Sequence, residues 1–226
     1  MSSKQEDGRQ STSPHAANAA LTSIEQTAGE RGVAPPASAS RYTEKELLRL
    51  AVHEVGHALV ALSVGYASSA TIALSRVFDP AAWYLGGMTD FDLIEDRLPT
   101  ETSLLNRIAV GYGGMAAEVV VFNDRSVDSG GIFGSDIERV TAIARRMVGS
   151  FGFGKTPGYL AAVDTLGYNA LPERLEKQAL RILDAEYRRA LEILGGERDR
   201  IMSLANNAVS HRSVKIGWPN GQPPNT

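Results

Sequence analysis

The chain has 226 residues, an ordinary hydrophobic fraction and a formal net charge of −3, enough for one substantial domain or two small ones. That balance gives no basic surface for nucleic acid and no pull toward anionic membranes. It has no cysteine, which excludes disulfides and thiolate zinc sites, so any metal must rest on His, Asp or Glu.

The N-terminus lacks a basic start followed by an apolar core, and no uninterrupted apolar run reaches the roughly 20 residues that span a bilayer. The chain therefore reads as cytoplasmic, without a membrane span. Residues 1–40 are mostly Ser, Thr, Ala, Gln, Gly and Pro, too poor in large apolar side chains to offset ordering entropy. They are expected to form a disordered arm ending at Pro35-Pro36.

Folding signals begin at Thr43-Glu44-Lys45-Glu46, a capping box. Leu47, Leu48, Ala51, Val52, Val55, Leu59 and Leu62 follow at helical spacing, and Gly65 is a stop. Inside this helix lies His53-Glu54-Val55-Gly56-His57. Residues four apart on a helix sit about 40° from each other around the axis, so both imidazoles can approach one cation from one side. Glu54 projects to the flank, where a carboxylate can act on water at a zinc ion without displacing a ligand.

Two β-like runs follow, Ala70 to Val77 and Trp83 to Phe91, separated by Asp79-Pro80. A second helix fits Thr100 to Phe122. Its middle, around Gly111, Gly113 and Gly114, holds small residues that cost helix stability, which implies that a neighbouring backbone needs the room. A glycine-rich loop, Ser126 to Gly134, leads to Ser135-Asp136-Ile137-Glu138, a second capping box opening a helix to about Val148. Residues 150–171 read as irregular. Pro172 starts an amphipathic helix, Gly195-Gly196 interrupts it, and a last helix covers Glu197 to Ser210. Residues 41–212 are thus the expected domain and 213–226 a flexible tail. By residue type the third metal ligand is open among Glu118, Asp124, Asp128 and Asp136.

Gly149-Ser150-Phe151-Gly152-Phe153-Gly154-Lys155-Thr156 has the letters of a phosphate-binding loop. That chemistry needs a strand before the loop and a helix growing from Lys-Thr. Here a helix precedes it and Pro157-Gly158 follows, so no nucleotide site is expected.

Taken together and in order, the motifs resemble the peptidase domain of FtsH-type ATP-dependent zinc metalloproteases over about residues 43–210. His53 to His57 is similar to the family's HEAGH, Gly113 to Glu118 to its GGRAAE, and Asp136-Ile137-Glu138 to its Asp-bearing helix start. Val55 and Met115 depart from the family's Ala and Arg. The resemblance implies a mainly α fold with a small β-sheet, and Zn2+ held by His53, His57 and Asp136. It also implies Glu54 as general base, with Glu118 the second choice as ligand or as acceptor for a histidine N–H.

The function it implies is hydrolysis of peptide bonds in unfolded or flexible polypeptides; the two β runs themselves suggest an edge to which an extended substrate adds as a strand. Family members carry an AAA ATPase module before the peptidase and assemble as six-membered rings. Here that side holds only the arm, so the expectation is a stand-alone peptidase fed by a separate AAA ATPase, its homo-oligomeric state resting on the resemblance. The rival reading is a catalytically silent subunit that binds and modulates such an assembly.

Overall fold

The computed structural model describes residues 40–75, 77–78, 86–94, 98–131, 134–164 and 170–218. The arm expected at 1–40 lies outside them except for Ser40, as do Asp79-Pro80, Trp83 and residues 219–226. The fold is mainly α with a small antiparallel sheet, as the resemblance implies.

The chain runs β1 (Ser40–Arg41), α1 (Glu44–Ser63), β2 (Ala67–Leu74), β3 (Val77–Phe78), β4 (Gly87–Leu93), α2 (Glu101–Phe122), α3 (Asp136–Gly149), α4 (Glu173–Leu194), α5 (Arg198–His211) and β5 (Ser213–Gly217). Thr43 caps α1 through a complete capping box with Glu46, and Thr100 caps α2 with Ser103. The box expected at α3 does not form. Ser135 is the N-cap without a side-chain bond, because the Glu138 carboxylate reaches one residue further back and accepts from Gly134 N.

α1 is buried without a break from Ala51 to Leu62, since α2, α5, β2 and β4 all pack on it. α1 and α2 cross where Gly56 meets Gly113. A Cβ on Gly56 would stand 2.2 Å from the Gly113 carbonyl oxygen, and one on Gly113 would stand 2.8 Å from the Cα of His57. The expected neighbouring backbone is found at Gly113, whereas Gly111 and Gly114 make room for the side chains of Val140 and His53. α2 has the length and composition to cross a bilayer, which qualifies the sequence expectation, but 61% of that stretch is buried inside the domain. α3 and α4 cover its other faces.

The three-stranded sheet has the order β4-β2-β5, all antiparallel, and β1 with β3 forms a separate two-residue ladder. The β runs begin and end later or earlier than expected because pairing, not composition, sets their limits. Residues 213–217, expected to be flexible tail, are instead β5. It pairs with β2 from Ser213↔Ala73 to Gly217↔Ser69 and turns Val214 and Ile216 toward the core. Its two apolar residues are too weak a pattern to read without the partner strand.

Candidate metal centre

α1 presents His53 and His57 one turn apart, and the start of α3 brings Asp136 opposite them. The three facing atoms form a nearly equilateral triangle: His53 Nε2 to His57 Nε2 is 3.0 Å, and each Nε2 lies 3.2 Å from Asp136 Oδ2. Tetrahedral bonds of about 2.0–2.1 Å to zinc would set such donors about 3.3–3.4 Å apart. Among the described residues this is the group able to hold a metal ion.

The outer ring nitrogens decide what the inner ones are. His53 Nδ1 faces Glu118 Oε1 at 2.8 Å and His57 Nδ1 faces the Val110 carbonyl at 2.7 Å. A carboxylate and a carbonyl only accept, so both Nδ1 atoms carry the proton. In the neutral rings both Nε2 lone pairs then point at each other and at a carboxylate. Such an arrangement calls for a positive charge at its centre, which fits a divalent cation.

Without a metal, a proton takes that place. Burial works against charging His53, but its bonds to Asp136 and Glu118 and the charge of Glu54 outweigh burial and push it up to about 10. His57 is raised for the same reason, the Asp136 carboxylate outweighing burial. Burial favours the neutral acid of Asp136, but the two imidazoles overcome it and hold the carboxyl well below its usual range.

The other acidic candidates sit elsewhere. Glu118, fully buried, lies on the outer side of His53. Asp124 is 3.3 Å from Arg49, and Asp128 lies 3.2 Å from the Ser126 hydroxyl. Glu54, next to His53, is nearly buried; its Oε2 accepts from Thr89 Oγ1 at 2.6 Å, and its charge reaches both imidazoles. Gly87 makes this possible: a Cβ there would stand 2.8 Å from Glu54 Oε1. Gly114 does the same for His53, where a Cβ would fall 2.3 Å from Nε2.

Gly87, Thr89 and Arg49 are parts of the site that sequence reasoning missed, and Gly114, read there as room for a backbone, makes room for the His53 ring. Only Arg49 left a signal, an arginine one helical turn before His53. The loop at 149–156 is a helix C-terminus: the N–H groups of Ser150 and Phe151 both go to the Arg146 carbonyl, Phe153 N–H to Met147, and Lys155 N–H to the Gln178 side chain. Carbonyl oxygens gather there, the reverse of a phosphate cradle.

The profile of peptidase family M41 matches residues 40–215. The chain is 33% identical over 192 residues to the ATP-dependent zinc metalloprotease FtsH 1 of Sphaerobacter thermophilus, a match covering 78% of this chain and 28% of that protein. It is 32% identical over 175 residues to FtsH of Karelsulcia muelleri, covering 72% and 26%. To the chloroplastic FTSH 1 of Arabidopsis thaliana it is 31% identical over 211 residues, covering 82% and 28%. The matched segment spans little more than a quarter of these relatives.

Proposed function

The chain belongs to peptidase family M41, and on that footing we propose that it is a zinc metalloendopeptidase that hydrolyses unfolded or flexible polypeptides. The observation that carries the reading is the convergence of two Nε2 atoms and one carboxylate oxygen on a single point. His53, His57 and Asp136 would hold Zn2+, which when bound supplies Lewis acidity toward water and a peptide carbonyl.

Glu54 takes a proton from the attacking water and passes it to the leaving amine nitrogen. Thr89 holds its carboxylate in place through Oε2, and near-burial keeps bulk water from competing for it. Glu118 and the Val110 carbonyl keep the two imidazoles in the tautomer that leaves Nε2 free.

β4 supports a way to present the substrate. Ser75 N–H bonds to the Gly86 carbonyl, so with alternate pairing Met88, Asp90 and Asp92 bond inward to β2. The backbone groups of Gly87, Thr89 and Phe91 then face the outer edge, which no strand pairs among the described residues. β2 is occupied on both sides. An extended peptide adding to β4 would run beside Glu54. An AAA ATPase would be needed to reach folded proteins.

The deciding experiment measures zinc content and cleavage of unfolded casein by the purified chain and by Glu54→Gln. One zinc per chain in both, with cleavage only by the first, supports the reading; no zinc in either overturns it.

A further inference from the structure

Glu118 receives four donors on two oxygens. His53 Nδ1 and Ser126 Oγ meet Oε1, each at 2.8 Å, while Arg49 Nη1 at 2.7 Å and Ser126 N–H at 2.8 Å meet Oε2. Ser126 comes from the loop just after α2, the helix that carries Glu118, so it moves with that carboxylate. Arg49 comes from α1, one turn before His53. Residues four apart share a helix face, so the guanidinium and the imidazole leave α1 together and grip opposite oxygens of one carboxylate.

The guanidinium is itself held. Its carbon lies 4.7 Å from the Phe122 ring centroid, and Nη2 reaches Asp124 at 3.3 Å. Asp124 is 69% exposed while Glu118 is fully buried. Water screens the outer pair and leaves the inner one strong.

We propose that Arg49 is a positioning residue of the metal site. It fixes the Glu118 carboxylate, and the Nδ1–H···Oε1 bond passes that fixation to the His53 ring, aiming Nε2 at His57 and Asp136. The proposal rests on the zinc reading above and adds to it a residue outside the motifs that carry the family resemblance. Outer partners of metal-bound histidines typically change metal affinity by about 10–100-fold, and Arg49 is assigned an effect of that size one bond further out.

The test titrates the zinc-stripped full chain with Zn2+ against a chromophoric chelator of known affinity, alongside the melting temperature of the zinc-free protein. Arg49→Met keeps a long unbranched side chain and removes the guanidinium, with both hydrogen bonds and its stacking on Phe122. It should weaken zinc binding about 10–100-fold; the zinc-free melting temperature should also fall, because buried Glu118 loses a charged partner, so affinities are compared at a temperature where both proteins are folded. Arg49→Lys, with one donor group for Glu118, should recover most of that loss, and Asp124→Asn should bind within about threefold of wild type, as expected for a screened pair.

Wild-type affinity in Arg49→Met overturns the proposal while leaving the zinc reading intact. A wild-type chain that takes up no zinc overturns both. If Arg49→Met does not fold, Arg49→Ala and Arg49→Lys decide: a graded loss of affinity, larger for Ala, supports the proposal, and equal affinity in the folded variant or variants overturns it.

Discussion

Gly114 lies against the ring of His53 so closely that a methyl group would stand 2.3 Å from Nε2. The imidazole occupies the space that α2 leaves by having no side chain at that position. Gly114→Ala should therefore displace His53 and weaken zinc binding by at least about tenfold, as loss of a ligand's support does, while helix propensity alone would favour Ala. Calorimetric zinc titration checks this; unchanged affinity would show that the ring can shift without cost.

Thr89 and Glu54 form a second such pair, with the hydroxyl donating at 2.6 Å. Thr89→Val removes that donor and keeps the shape. A hydrogen bond to a charged group is worth about 1.5–3 kcal/mol, so kcat should fall by about 10- to 100-fold at unchanged zinc content. Equal kcat values would mean that the carboxylate needs no holding.

Glu54→Gln should retain zinc and lose about 10²–10⁴ in kcat, the usual contribution of a general base. It separates the proposed function from its rival. If wild type and variant are equally inert on casein yet both co-purify with an AAA ATPase, the silent-subunit reading holds.

The metal-free protein should respond to pH in a definite sense. His53 is raised from 6.5 to about 10, so its contribution to stability is fully present below pH 6.5 and is lost as pH rises toward about 10. Zinc replaces that proton. Melting temperature should thus decline over this window for the zinc-free chain and much less for the zinc-loaded one. Parallel curves would contradict a shared site for proton and metal.

Strand addition makes a prediction on the substrate side. A cleavable peptide N-methylated at alternate residues loses the donors that face β4 in one register only. One methylation pattern should raise KM markedly and the other should not. If neither does, the peptide does not bind as a strand.

The helices were legible because each signal was local: the Thr43 and Glu46 capping box, the apolar spacing from Leu47 to Leu62, Pro172 before α4. His53, Glu54 and His57 were legible for the same reason, since one helix carries all three. Asp136 was not, because 83 residues separate it from His53 and several acidic residues had equal claim by type; the resemblance chose it. β5 escaped because it is a strand only while β2 pairs with it. Gly87 escaped because an absent atom leaves no pattern; Gly114 showed a need for room but not that a histidine ring fills it, and the box at Ser135 failed because Gly134 offers a competing donor.

At the crossing of Gly56 and Gly113 the two main chains touch, and the next residues along are His57 and Gly114. The site therefore has no floor of its own; its depth is set by how far apart these two helix axes lie. Heat cannot loosen the two histidines first and the scaffold afterwards, so their release of zinc and global melting should arrive together, and selection for a sturdier core here would also reshape the metal site.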